Sequence, residues 1–295
     1  MDWLQIVFLS LLQGLTEFLP VSSSAHLVLP AQLTNWPDQG LAFDVAVHFG
    51  TLIAVLAYFR SDLLNMLWAV SRSPSLIGTV GWRTVIRQTA AYDRDLDLVF
   101  KLGIATLPVV IVGFASKDFI ETQLRTIPVI ATTTMLFGAV LWFADRRSGR
   151  RSIVEWRDAL WIGFAQILAL IPGTSRSGIT ITVALLIGLN RVSAARFSFL
   201  LSIPAIAGAQ LLLTRDLVAS EGSVNLLPIL VGALIAFASA YASIHFFIRL
   251  LDRFGMSVEV RTVRNPELRV QVVDQRTAFD SDPDSFSAGV EANQE

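Results

Sequence analysis

Apolar residues run along this chain in blocks too long and too continuous for the alternation of a soluble fold. "LAFDVAVHFGTLIAVLAYF" (41–59), "LVFKLGIATLPVVIVGFA" (98–115) and "IPVIATTTMLFGAVLWFA" (127–144) approach the roughly 20 mostly apolar residues a helix needs to cross a bilayer. "VSAARFSFLLSIPAIAGAQLLLT" (192–214) and "NLLPILVGALIAFASAYASIHFFI" (225–248) do the same. "ALWIGFAQILALI" (159–171) is shorter and resumes as "GITITVALLIGL" (178–189) after a polar break. The chain starts with "MDWLQIVFLSLLQG", where acidic Asp2 stands in place of the positive charge of a secretory signal, so it reads as a first membrane element. The pattern predicts an all-α polytopic membrane protein.

Two polar interruptions echo each other. "PVSSSAHLV" (Pro20 to Val28) and "PGTSRSGIT" (Pro172 to Thr180) each place a proline and small hydroxyl residues between apolar arms, and Gln13 and Gln166 precede them at similar distances. Such backbone is tolerated at membrane depth only inside protein or beside a wet cavity. Each copy is therefore expected to be a re-entrant helix-loop-helix hairpin. The three crossings between them are an odd number, so the second hairpin enters from the opposite face. That gives inverted-topology repeats, one over about 1–145 and the other over about 157–255, whose loops meet near the bilayer midplane.

Charge sets the orientation. Arg60, Arg72, Arg83, Arg87, Arg94, Arg146, Arg147, Arg150, Arg151, Arg157, Arg191, Arg249 and Arg253 fall on one side, and little beyond Lys117, Arg125 and Arg215 on the other. The arginine-rich side is cytoplasmic by the positive-inside rule, and the first hairpin opens from the outer side. "SRSPSLIGTVGWRTVIRQTAAYDRD" is amphipathic and is expected on the cytoplasmic surface. Composition agrees with the bilayer: 53% of residues are hydrophobic and 16% charged, against about 25% charged in soluble domains. Cysteine is absent, which excludes disulfides and thiol chemistry, and a net charge of −1 gives no basis for a nucleic-acid partner.

The polar groups in the two breaks carry chemistry. Gln13 and Glu17 are four apart and share a helix face. A carboxylate at bilayer depth costs on the order of 3 kcal/mol on insertion scales and is functional by default. Ser22, Ser23, Ser24 and His26 follow, and an imidazole close to a hydroxyl is the pairing needed for nucleophile activation or proton transfer. In the second break, Gly173 to Gly178 opens a helix, whose N-terminal N–H groups favour phosphate, and Arg176 adds a charged fork. Arg176 could equally pair with a carboxylate such as Glu17. Gln13 and Glu17 are oxygen donors of the type that hold Mg²⁺ or Ca²⁺ alongside substrate phosphates. The set is a phosphoryl-transfer inventory, and its place in lipid makes a lipid phosphate the expected substrate.

On those same residues, "QGLTEFLPVSSSAHL" and "PGTSRSGIT" resemble the [E/Q]xxxE-plus-serine/histidine and PGxSRSxxT motifs of the undecaprenyl pyrophosphate phosphatase, or bacitracin-resistance, family. "LAFDVAVHFGTLIAVLAYFR" is similar to that family's next helix, and the resemblance runs from residue 1 to about 255. It implies removal of the terminal phosphate from undecaprenyl pyrophosphate, the carrier lipid of peptidoglycan synthesis, at the outer face of the bacterial inner membrane, with Mg²⁺ or Ca²⁺. It implies a metal site at Gln13 and Glu17, an essential serine and histidine at Ser23 and His26, and phosphate-binding residues at Ser175, Arg176, Ser177 and Thr180. Ser23 or a water is the expected nucleophile with His26 assisting, and Ser22 as a substitute; residue types leave serine, histidine and water open. A homodimer is compatible with the resemblance.

One departure stands out. The family normally adds a hydrophobic helix after the stretch matching "IRLLDRFGMS", whereas residues 256–295 here are polar and cannot span. They are expected to be a disordered cytoplasmic tail beyond a single membrane domain (1–255), leaving packing of the second repeat incomplete. Asp44 and His48 share a helix face and are expected either to line the cavity or to bond between helices. His245 and the tryptophans Trp36, Trp82, Trp142 and Trp161 fit interfacial positions. A lipid-carrier flippase without hydrolysis is the rival function, separable by phosphate release. The other lipid-phosphatase signature, SRxxxxxHxxxD, is excluded because "SGITITVALLIG" follows Arg176 with no histidine or aspartate.

Overall fold

Apolar runs become helices wherever no proline or hydroxyl cluster interrupts them. The computed structural model describes residues 1–263 except 24, 28–29, 31–35, 81–88, 90–92, 125 and 220–225. In chain order the helices are α1 (Trp3–Phe18), α2 (Leu41–Tyr58), α3 (Arg60–Val80), α4 (Arg94–Phe119) and α5 (Ile127–Arg146). There follow α6 (Trp156–Gln166), α7 (Arg176–Leu186), α8 (Arg191–Ala219) and α9 (Leu226–Val263). A π-helical turn, Ile120–Leu124, extends α4, and a 3-10 turn, Ile167–Leu170, extends α6. Among the described residues five helices are long and apolar enough to span: α2, α4, α5, α8 and α9. α1 and α7 are apolar but shorter; at about 1.5 Å per residue, the 16 residues of α1 fall short of a bilayer core.

Both interrupted segments fold back on themselves. α1 ends where Leu19 turns extended ahead of Pro20 (φ −65°, ψ 151°), as the residue before a proline is driven out of the helical region, and helical backbone returns at Ser23 and Ala25–Leu27. The base of this first hairpin is closed by the Gln5 amide donating to the Pro37 carbonyl (2.7 Å) and by Phe8 against Trp36 (centroids 5.7 Å). In the second, α6 and its 3-10 turn end at Ile171, and α7 begins after Ser175. Its base is closed by Arg151, which pairs with Asp158 ahead of the break and donates to the Ile187 carbonyl after it (3.0 Å). Arg151 N–H also bonds the Gly188 carbonyl (3.3 Å), and Asn190 N–H the Arg151 carbonyl (2.9 Å). Each segment enters and leaves at one end.

Packing is tight where small residues let helices approach. A methyl on Gly14 of α1 would lie 2.6 Å from the Ala236 carbonyl oxygen of α9, and one on Gly50 of α2 only 2.2 Å from that of Ala233. The main core gathers Phe18, Ile162, Leu185, Phe199 and Leu200, with Phe18 edge-to-face on Phe199 at 5.6 Å. Outward faces carry Phe114, Met135, Leu211 and Trp142, as lipid contact requires. Contacts divide the chain into a unit over Met1–Gly255 and a second over Met256–Glu295. Of the second, helical backbone is described to Val263; the remainder of the expected polar tail, 264–295, lies outside the described residues, as do Trp82 and most of the expected amphipathic surface segment beyond Val80.

Candidate active site

α1 carries its polar residues on the face turned into the protein: Gln5, Ser10, Gln13, Thr16 and Glu17 are all buried. Glu17, one residue before the helix ends, is the hub of the site. Its Oε2 accepts from the Gln13 amide (2.8 Å) and from the Ser23 hydroxyl (2.8 Å). Its Oε1 accepts from Arg176 Nη2 at 2.9 Å, a contact between residues 159 positions apart in the chain. The carboxylate side chain is 8% exposed and the arginine side chain 16%. A buried pair of this kind costs several kcal/mol per ion to desolvate, and the extra donors on Glu17 offset part of that.

The second tip is built around a helix start. Ser175 caps α7 by accepting from Gly178 N–H (3.1 Å), and its hydroxyl lies 3.1 Å from that of Ser177. Ser177 donates to the Leu19 carbonyl at 2.8 Å, so the last backbone acceptor of α1 is met by the opposite hairpin. Gly173 has φ +90°, a conformation side chains resist, and a methyl there would lie 2.4 Å from the Ile130 carbonyl oxygen. Thr133 and Thr134 of α5 donate to the carbonyls of Pro172 and Gly173 (2.7 and 3.0 Å), holding the break against that helix.

Two cavities share Glu17 and Arg176. The smaller, about 110 Å³, is lined chiefly by polar side chains: Ser22, Ser23, Thr174 and Ser175 with the ion pair. The larger, about 200 Å³, is mostly apolar but includes His48, Gln166 and Gln210. The expected residues Gln13, Glu17, Ser22, Ser23, Ser175 and Arg176 are therefore brought together. Thr180 and Ser177 are each 1% exposed and line neither cavity; Thr180 donates to the Arg176 carbonyl (2.8 Å) and meets Ser198 of α8 at 2.6 Å. His26 also lines neither. Its Nδ1 lies 2.7 Å from the Ser22 carbonyl oxygen, an acceptor only, which puts the ring proton on Nδ1 and leaves Nε2 to accept. Ser24 lies outside the described residues.

Among the described residues no group of three or more His, Asp or Glu forms a metal cage. The donors that are present do suit a cation completed by substrate: Gln13 Oε1 is fully buried with no partner, beside the Glu17 carboxylate.

The sequence profile described as Bacitracin resistance protein BacA matches residues 6–260. The chain belongs to that family. An undecaprenyl-diphosphatase of Alcanivorax borkumensis is 52% identical over 260 residues, 87% of this chain and 93% of the relative. The BacA match includes both hairpins, so the Glu17–Arg176 pair lies wholly within it.

Several arginines and a histidine away from the site pack on aromatic rings. Arg146 stacks on Trp142 and Arg147 on Phe143 (3.8 and 4.5 Å to the ring centroids), while His245 packs against Tyr58. Of the two roles weighed for Asp44 and His48, His48 lines the larger cavity, while Asp44 accepts from Gln39 within its own neighbourhood (3.1 Å). Gln210 was not singled out from the sequence; an amide inside "AIAGAQLLL", an otherwise apolar span, was the available signal.

Proposed function

We infer that the protein is an undecaprenyl-diphosphatase of the bacterial inner membrane: it hydrolyses undecaprenyl pyrophosphate to undecaprenyl phosphate and inorganic phosphate. Family membership and the Alcanivorax relative support the substrate, and five apolar helices support multi-pass insertion. The observation that carries the reading is the Glu17 carboxylate, which takes Arg176 from the second hairpin and Ser23 from the first.

In the mechanism we propose, the terminal phosphate enters the polar cavity. There Arg176 and the start of α7 neutralise its oxygens, and Ser175 and Ser22 orient it. Ser23, or a water in its position, attacks phosphorus as its proton passes to Glu17, and the bond to the bridging oxygen breaks, so that undecaprenyl phosphate leaves. If Ser23 attacks, a water then cleaves the phosphoserine and inorganic phosphate departs. His26 lines neither cavity but lies three residues beyond Ser23 with Nε2 left to accept, and we propose that it takes the proton of that water from behind Ser23. Gln13 Oε1 and Glu17 are the residues that would hold Mg²⁺ or Ca²⁺, which when bound supplies positive charge to the departing phosphates.

We further propose that the two hairpins form inverted repeats, with the arginine-rich base of the second on the cytoplasmic side and the active site open to the outer face. Arg146, Arg147, Arg150 and Arg151 cluster beside that base, and the first base at Gln5 and Pro37 carries no arginine. Phosphate release from undecaprenyl or farnesyl pyrophosphate by the purified protein, with and without EDTA, tests the activity and the metal together. Release that is rapid without EDTA and abolished by it is the expected result; no release in excess Mg²⁺ or Ca²⁺ overturns the reading.

A further inference from the structure

The polar cavity accounts for one phosphate, yet the substrate carries two. The larger cavity shares Glu17 and Arg176 with it and is otherwise apolar, with Leu170, Ile206 and Leu213 among its walls. Gln166 is aimed into this cavity and is 1% exposed, and neither its amide nitrogen nor its carbonyl oxygen has a partner. A buried amide left unpaired at both ends is costly. Its counterpart Gln13 differs, because Gln13 donates to Glu17 four residues on, whereas the residue four after Gln166 is Leu170. The second hairpin thus has the amide without the acid, and its N–H groups stand ready beside a guanidinium.

We propose that Gln166 binds the phosphate that stays with the lipid, donating to one of its non-bridging oxygens, while the apolar walls take the first isoprenyl carbons. The proposal rests on the diphosphatase reading and deepens it. His48 adds a second contact: its Nδ1 donates to the Asp44 carbonyl at 2.7 Å, which leaves Nε2 to accept from a singly protonated phosphate or its water. Gln210 uses its amide nitrogen on the Val45 carbonyl (2.9 Å) and keeps a buried, unpartnered Oε1, which accepts from a singly protonated phosphate or its water. With one phosphate in each cavity, the bridging oxygen lies between them, beside Glu17 and Arg176. The division explains how such a site would remove one phosphate and stop: a monophosphate seated at Gln166 leaves nothing in the catalytic cavity.

The test uses the full-length protein, farnesyl pyrophosphate as substrate, and two product inhibitors, farnesyl monophosphate and inorganic phosphate. Gln166→Leu should raise KM and the inhibition constant of farnesyl monophosphate about 10- to 100-fold, the worth of a hydrogen bond to a charged group. Inhibition by inorganic phosphate and kcat should stay within about threefold of wild type, and Tm should not fall, since an apolar side chain replaces a buried amide that has no partner. Gln166→Glu keeps the side chain's shape and should give the same selective loss by repulsion, which covers the case where the leucine variant folds poorly. Unchanged inhibition by farnesyl monophosphate in either variant overturns the proposal, as does equal weakening of both inhibitors. Lack of phosphate release by the wild type would instead strike the activity itself, and direct binding of farnesyl monophosphate would still report on Gln166.

Discussion

The two hairpins are alike in construction and unlike in chemistry. Each is an apolar helix that ends at a proline-bearing break, carries a glutamine one to two turns before it, resumes as a helix, and closes its base with a hydrogen bond across the two arms. The first supplies the acid, the serines and the histidine; the second supplies the arginine and a capped helix start. What the two share is a scaffold that interrupts an apolar helix with irregular backbone and turns it back on itself. The proposed catalytic set is assembled where the tips meet, through Glu17 with Arg176 and Leu19 with Ser177.

Damage at the tips should therefore remove chemistry, and damage at the bases should remove stability. The largest effect is expected from Glu17→Gln, which keeps the shape of the hub but cannot accept a proton. It should lower kcat by about 10³-fold, within the usual range for a general base, with the protein still inserted and monodisperse. Arg176→Lys keeps the charge and loses the planar fork, and a fall in kcat of about 10²-fold is expected. Phosphate-release assays on both variants check this, and near-wild-type rates in either would mean that the tip contact is architectural.

Ser23→Ala separates the two nucleophiles. Loss of about 10²-fold or more in kcat, with no phosphoenzyme trapped on acid quench, is expected if the hydroxyl attacks. A drop of only a few-fold would assign the attack to a water and leave Ser23 as its orienting partner.

At the bases the expectation reverses. Arg151 is partly exposed, and its guanidinium is pushed above its ordinary basicity first by hydrogen bonding to Asp158 and then by the attraction of Asp158 and Glu155, against some desolvation. It ties three points together: Asp158, the Ile153 carbonyl and the Ile187 carbonyl. Arg151→Ala should therefore cost about 1–2 kcal/mol, after discounting for solvent screening, and leave kcat within a few-fold. Gln5→Leu at the first base loses a single hydrogen bond and should cost less, about 1 kcal/mol. Thermal unfolding in detergent ranks the two.

Much of this is written in the sequence itself. Glu17, Ser23 and Arg176 announce themselves because lipid does not solvate them, and the paired Pro-hydroxyl breaks announce the hairpins. The Glu17–Arg176 pair is one of the two roles open to Arg176, and the structure shows it; the other partner choices do not show in the sequence. The family resemblance implies an essential Ser23 with His26 assisting; in the structure Ser23 donates to Glu17, and the His26 ring lies against the Ser22 carbonyl. Closure of the hairpin bases and the entry of Gln166 and Gln210 into one cavity depend on how helices pack, which periodicity in a single chain does not encode. Helix ends also run past the apolar blocks: α8 continues to Ala219 and α9 to Val263, through residues such as Arg215, Leu217, Glu259 and Arg261, whose intrinsic helix propensity is high without apolar periodicity.

Thr180 gives the finest cut between scaffold and chemistry. The resemblance to the family motif implies a phosphate-binding role for it, yet its hydroxyl bonds the Arg176 carbonyl and meets Ser198, one turn behind the tip. Those contacts bind α7 to α8 and hold the backbone from which Arg176 projects. A hydroxyl that touched phosphate would, on Thr180→Val, raise KM while leaving Tm unmoved. A hydroxyl that braces the helix would lower Tm by an amount corresponding to about 1 kcal/mol, because Ser198 is left without its buried partner. KM would stay put, and kcat would slip only as far as Arg176 loosens. Thr180→Ser keeps the hydroxyl and should restore most of the stability under the bracing account. The geometry favours bracing, and Tm and KM measured on the same two variants decide it.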